Sequence, residues 1–257
     1  GETVRLFKEP GEDLFIYGAS YGTYWALRYM QLYPDQGAKM ILDSICASGY
    51  CKLVEYDSNF NMVGKQFMDH CASDDFCTSK LGDDAWAFIG DMLDGIDSGS
   101  CAALSDAGID RSFVRQVFGT LITSWFLRPY IAMMAYRLGR CSSSDVDFLS
   151  EFLNMLFSDG EYKSMDVSVQ DKLFSTALNS NITFSEIWGE GDVTQDDLKA
   201  VIDGAYVSPD AAWYMAGRYD MWPKYEKDEY FSLFADFSGP ILMMNGTLDP
   251  QTTLEMA

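Results

Sequence analysis

The sequence predicts an α/β protein, a parallel-sheet core divided by a large helical insert. Three observations carry that expectation. Near the start, the apolar run Leu14-Phe15-Ile16-Tyr17 leads through Gly18-Ala19-Ser20-Tyr21-Gly22 into a helix-patterned stretch from Thr23, and a second run, Lys39 to Leu42, follows. Strand, helix and strand in that order form the βαβ pattern of a parallel sheet. Near the other end, Gly239-Pro240 introduces Ile241-Leu242-Met243-Met244, which reads as a fully buried strand. Between these parts the pattern is almost wholly helical.

The first element is the most informative. G-x-S-x-G is weak by itself, because glycine and serine are common. On a strand-to-helix turn it is the setting of a nucleophile elbow. A serine at the apex of so sharp a turn is held in a strained conformation, and small neighbours keep the turn free of clashes. The hydroxyl of Ser20 then projects into solvent. The backbone N–H of Tyr21 faces a developing oxyanion, and the helix N-terminus adds favourable potential for negative charge. The competing reading is a glycine-rich turn that only packs a helix on a sheet. On the helix that follows, Ala26, Tyr29, Met30 and Tyr33 lie at i, i+3, i+4, i+7 and predict one buried face. Lys39 to Leu42 is expected to be a short buried strand.

Residues 49–225 form the insert, between a core segment at 1–48 and another at 226–257. Ser144-x-x-Asp147 predicts a capped helix start before the stripe Leu149, Phe152, Leu153 and Leu156. Thr194-x-x-Asp197 repeats the signal before Leu198, Val201 and Ile202. Ser208-Pro209 reads as a cap with proline at the first helical position. Ser98-Gly99-Ser100 and the serines at 142–144 read as loops, and no internal repeat occurs. A helical insert between two sheet strands is a lid over the nucleophile.

The last run enters Asn245-Gly246-Thr247-Leu248-Asp249-Pro250, a turn carrying an aspartate. Where an elbow of this type is catalytic, the order along the chain is serine, acid, histidine. Asp249 is the candidate acid, whose task is to orient and stabilise a histidine. By itself it is a turn residue favoured by local side-chain hydrogen bonding. The sole histidine, His70, precedes the acid and lies in a polar helical stretch, so it reads as a surface or lid residue. The chain opens at Gly1, close to the elbow strand, and stops at Ala257, soon after the acid. The expectation is a core cut at both ends, and a chain inactive when isolated.

Composition narrows the function classes. With 39 acidic and 18 basic side chains the net charge is −21, which argues against nucleic acid and anionic membrane surfaces. No apolar run approaches the roughly 20 residues of a membrane span. Six cysteines, an even number, favour disulfides in an oxidising compartment, against reduced structural cysteines in the cytosol. Their spacing is not that of a metal site, and neither a metal nor a cofactor is expected. Asn181-Ile-Thr and Asn245-Gly-Thr are glycosylation sequons. With the cysteines they lean toward a secreted, endomembrane or vacuolar protein.

Tyr17-Gly18-Ala19-Ser20-Tyr21-Gly22-Thr23, then Arg28-Tyr29, Tyr33-Pro34 and Ile41-Leu42-Asp43, resemble the α/β-hydrolase family of prolyl and tripeptidyl aminopeptidases. Residues 67–81 and 238–257 resemble it too, through a short cysteine loop and an acid loop. The resemblance implies an α/β-hydrolase fold with a helical lid, a Cys71–Cys77 disulfide, Ser20 as nucleophile, Asp249 as acid and the Tyr21 amide as an oxyanion donor. It implies a serine peptidase acting on peptides with a free amino terminus. Thr183-Phe184-Ser185-Glu186-Ile187-Trp188 resembles the stretch whose glutamate binds that terminus; the alternative for Glu186 is a helix-start residue complementing the dipole. Tyr219-Asp220-Met221-Trp222-Pro223 also resembles the family, and its aromatics are expected to pack the lid on the core rather than to line a substrate pocket. The glycine-rich oxyanion loop and the downstream histidine of the family are not in this chain. Two other functions remain open: a carboxylic-ester hydrolase on the same fold, and a non-catalytic binding protein.

Overall fold

The computed structural model describes residues 1–156, 175–189 and 191–256. After a short helix α1 (Glu2–Phe7), three strands form one sheet in the order β1-β2-β3: β1 is Leu14–Ala19, β2 is Ala38–Asp43 and β3 is Ile241–Met244. Both pairs are parallel, with Leu14 opposite Ala38 and Met40 opposite Ile241. Helix α2 (Tyr21–Leu32) makes the crossover from β1 to β2. It sets Ala26, Leu27 and Met30 against Ile16, Ala38, Met40 and Leu42. The chain is thus α/β, with a small parallel sheet and many helices.

Side-chain alternation explains where the sheet is dry. Ala38, Met40 and Leu42 are buried under α2, while Lys39, Ile41 and Asp43, on the other face, are only half-buried. Phe15 and Tyr17 share that second face and are exposed. The expectation of a fully buried last strand is corrected: every residue of β3 is at least 40% exposed. Among the described residues it is an edge strand with a partner on one side only. The predicted stripe on α2 is also corrected at its end. Tyr33 lies beyond the helix and is exposed, whereas Tyr24 is buried instead.

Between β2 and β3 lie α3 (Tyr56–Asp69), α4 (Asp75–Leu81), α5 (Ala85–Asp97), α6 (Ala102–Asp106), α7 (Arg111–Ile122), α8 (Pro129–Arg140) and α9 (Ser143–Asn154). They bury a common core that includes Phe60, Ile89, Leu93, Phe118, Ile122, Ile131 and Leu149. Then come α10 (Thr176–Ile182), a π-helical turn (Thr183–Ile187), α11 (Gln195–Asp203) and α12 (Ala211–Tyr219). Expected helix between 157 and 174 lies outside the described residues. Trp188, Tyr219, Phe184 and Trp222 pack together, with the Trp188 and Tyr219 rings stacked at 4.8 Å. Tyr219 and Trp222 thus pack within the helical region, not between it and the sheet core.

Helix starts follow the sequence signals with two shifts. Thr194 and Asp197 form a reciprocal capping box. The start predicted at Ser144 falls two residues earlier: Ser142 is the cap and accepts from the Asp145 N–H. Asp145 is fully buried, and its carboxylate binds Arg137 and Arg140, which hold it well below the usual carboxylate range. The start predicted at Ser208-Pro209 falls later, at Ala211. All six cysteines pair, as Cys46–Cys51, Cys71–Cys77 and Cys101–Cys141. Three disulfides fit an oxidising compartment. No described helix is long and apolar enough to cross a membrane.

Candidate functional site

Ser20 stands at the junction of β1 and α2 with φ 53° and ψ −127°, a conformation few residues other than glycine adopt. Such a backbone costs about 1–3 kcal/mol and persists only where surrounding structure enforces it. The enforcement is visible. The Ser20 N–H donates to the Asp43 carbonyl at 2.9 Å, extending the β1–β2 ladder by one bond. Its own carbonyl accepts from the Thr23 N–H at 2.9 Å and from Thr23 Oγ1 at 2.7 Å. Thr23 Oγ1 in turn accepts from the Cys46 N–H at 2.8 Å, so the elbow is tied to the loop after β2.

The two glycines do different work. A Cβ on Gly18 would lie 2.4 Å from the Gly22 carbonyl oxygen, so strand and helix approach this closely only because residue 18 has no side chain. A Cβ on Gly22 would meet nothing within 4 Å. The expectation that both glycines relieve crowding holds for Gly18 alone. Tyr21 opens α2, so its N–H is among the first-turn donors that have no acceptor within the helix.

Ser20 is exposed and lines a small cavity of about 100 Å³ with Tyr21, the Cys46–Cys51 disulfide, Lys52, Tyr56, Ile187, Gln251 and Thr252. Of these, Lys52 and Tyr56 had no motif to announce them, whereas Gln251 and Thr252 fall within the stretch 238–257 that resembles the acid loop. Tyr56 donates to Gln251 Oε1 at 3.1 Å, and burial pushes its hydroxyl pKa up.

Asp249 stands one layer behind that cavity. Its Oδ1 accepts from the Gln251 N–H at 2.9 Å and the Thr252 N–H at 3.2 Å, and its Oδ2 from Thr252 Oγ1 at 2.9 Å. These local bonds are what a turn aspartate makes, while Oδ2 keeps a second acceptor position. The turn is pinned to the sheet end by Asn245, which accepts from the Ile45 N–H at 2.7 Å and donates Nδ2 to the Thr252 carbonyl at 2.9 Å. That amide nitrogen, where a glycan would attach, is committed to the fold. Asn181 is half-buried and accepts from Trp222 Nε1.

Glu186 approaches the elbow from the helical region, on the side of the Tyr21 hydroxyl. Its carboxylate accepts from the hydroxyls of Tyr21 and Tyr225. Trp25 Nε1 donates to the Tyr21 oxygen at 2.9 Å. Burial raises the Glu186 pKa above the ordinary carboxylate value, opposed by the Tyr21 hydrogen bond and the nearby Arg28 charge. Burial and the Glu186 hydrogen bond likewise push the Tyr21 hydroxyl pKa up. The helix-start reading of Glu186 is corrected: it lies in the π-helical turn that continues α10 at its C-terminal end. Glu186 lines a larger cavity of about 440 Å³ with Trp25, Arg28, Tyr225 and Asp228.

His70 is exposed at the end of α3 and lines a separate cavity beside the Cys71–Cys77 disulfide, sharing no residue with the Ser20 cavity. Ser20 and Tyr21 therefore share one cavity, Glu186 reaches it through the Tyr21 hydroxyl from a neighbouring cavity, Asp249 is joined to it through Gln251 and Thr252, and His70 stands apart. Among the described residues no cluster of side chains has the makings of a metal site. Compared with known proteins, the chain matches no protein-family model, no curated protein and no solved structure.

Proposed function

We propose that this chain carries the nucleophile of an α/β-hydrolase-type serine peptidase that acts on short peptides with a free amino terminus. The observation that carries the reading is the backbone of Ser20, strained at a strand–helix junction, with the next residue hydrogen-bonded to a half-buried carboxylate. Ser20 Oγ attacks the peptide carbonyl. The Tyr21 N–H, at the positive end of α2, receives the developing oxyanion. Glu186 pairs with the substrate ammonium and so fixes which bond meets the serine. A neutral ester offers Glu186 nothing to pair with, which favours the peptide reading over an ester hydrolase. Asp249 is assigned as the acid through its remaining acceptor position. The helical region between β2 and β3 acts as the lid.

The proton on Ser20 needs a base, and no histidine lines its cavity. A serine without a base is weakly nucleophilic, so the isolated chain is expected to bind substrate while turning it over slowly at most. The test supplies the base from solution. A fluorophosphonate probe with added imidazole should label the protein, the serine oxygen bonding phosphorus, fluoride leaving and imidazole taking the proton. Ser20→Ala should abolish the imidazole-dependent labelling. Equal labelling of the two forms, or none in either, would overturn the nucleophile assignment.

A further inference from the structure

The wall of the Ser20 cavity includes a basic residue that the reading above does not use. Lys52 lines the cavity together with Ser20 and Tyr21. Basic side chains are scarce here, 18 against 39 acidic ones. Among the described residues its ion-pair partner is Glu55, 3.3 Å away and about half exposed. Pairs of that kind are weak and easily exchanged for a better anion.

The backbone of Lys52 is held on both sides. Its neighbour Cys51 is closed onto Cys46 and donates its N–H to the Ala47 carbonyl at 2.9 Å. Two residues on, the Val54 N–H donates to the Trp188 carbonyl at 3.0 Å. Trp188 directly follows the turn that carries Glu186. One hydrogen bond thus joins the segment bearing the cation to the segment bearing the carboxylate. Tyr21 meets both, through its hydroxyl to Glu186 and through the cavity wall it shares with Lys52. Leu53, Ile187 and Met256 make part of that wall apolar, which strengthens an ion pair formed inside it. A volume of about 100 Å³ has room for one small group.

We propose that Lys52 pairs with a carboxylate of the substrate, so that the site selects short peptides that carry an ammonium for Glu186 and a carboxylate close to the scissile bond. This rests on the reading of Ser20 and Glu186 given above. The carboxylate has two possible sources, the peptide's own C-terminus and an acidic side chain, and the experiment separates them. Affinities would be measured by titration calorimetry, which needs no catalytic base, for trialanine, N-acetyl-trialanine, trialanine amide and Ala-Asp-Ala amide.

Wild type should bind trialanine about fivefold more tightly than its amide. Lys52→Gln should remove the difference, Lys52→Arg should keep it, and Glu55→Gln should enlarge it by freeing the ammonium. The preference should shrink in high salt, as a partly exposed pair does. Recovery of affinity by Ala-Asp-Ala amide assigns the side chain as the source, and its failure to recover assigns the C-terminus. Equal binding of trialanine and both amides by wild type, or an unchanged preference in Lys52→Gln, overturns the role of Lys52. Equal binding of trialanine and N-acetyl-trialanine overturns the Glu186 reading instead. Circular dichroism of each variant verifies that the half-exposed substitutions leave the fold intact.

Discussion

Gly18 shows at the level of a single residue how the elbow is made, and Glu186 where its proposed role can be tested. Gly18 lets the Gly22 carbonyl approach to a distance no Cβ tolerates, and the clash is with backbone, so the helix itself has to move. Gly18→Ala should cost about 1–3 kcal/mol of stability, the range for overpacking, and disturb Ser20. Gly22→Ala should be nearly neutral, although the motif treats the two positions alike. Thermal or denaturant unfolding of the two variants checks this, and equal effects would show that the close approach is not what Gly18 provides. Glu186 makes a pH prediction. Its pKa is raised by burial, and only its ionised form pairs with an ammonium. Affinity for free-amino peptides should fall as pH drops through that raised pKa. It should fall again as pH rises through the peptide's own α-amino pKa, about 8. Glu186→Gln should flatten both limbs, because each reports one partner of the same ion pair; a limb unchanged in the variant would assign it to another group.

Helix α12 shows how one element is started by another. Its preceding residue, Asp210, has φ 59° and gives its helix no side-chain cap. That carboxylate is buried and bound by Arg115 at 2.8 and 2.6 Å and by Gln116 at 2.9 Å. The cap comes from Asp57 on α3, whose carboxylate accepts from the N–H groups of Ala211, Ala212 and Trp213 and from Ser208 Oγ. Burial raises the Asp57 pKa while these donors oppose the rise. Asp57→Ala leaves three backbone donors and a hydroxyl without their acceptor in a buried place. The expected loss is about 3 kcal/mol, read as a lowered denaturation midpoint. A loss below about 0.5 kcal/mol, the usual surface range, would mean the carboxylate is not the cap of α12.

The molecule as a whole is unevenly covered. The helical region has a deep core, but the sheet has α2 on one face and Phe15, Tyr17 and Leu242 more than half exposed on the other. An exposed apolar sheet with unpaired edges is a template for association, and a net charge of −21 opposes it. Because salt screens repulsion between like-charged copies, self-association of this chain should rise with ionic strength. Light scattering in low and high salt tests this, with Leu242→Lys expected to reduce association. A monomer at every salt concentration, or equal association of the variant, would show that the exposed sheet is not adhesive.

The sequence by itself determined what short-range physics determines. The βαβ unit, the elbow at Ser20 and the capping box at Thr194 are built from neighbouring residues, and each stood legible in apolar periodicity, glycine placement and side-chain chemistry. The start of α12 was misplaced because its cap, Asp57, lies more than 150 residues away, beyond the reach of any local signal. The strand at Ile241–Met244 was found, yet its burial was not, because burial depends on what packs above a strand rather than on the strand's own composition. Asp249 and Gln251 lie in a turn that the sequence singled out, while Lys52 and Tyr56 were invisible because cavity walls are assembled from distant segments. Tertiary structure alone decided that Glu186 meets Tyr21, that Lys52 shares the Ser20 cavity and that His70 does not. Those relations depend on how separate segments pack, and packing is a property of the folded chain, whereas propensity belongs to each residue and its neighbours.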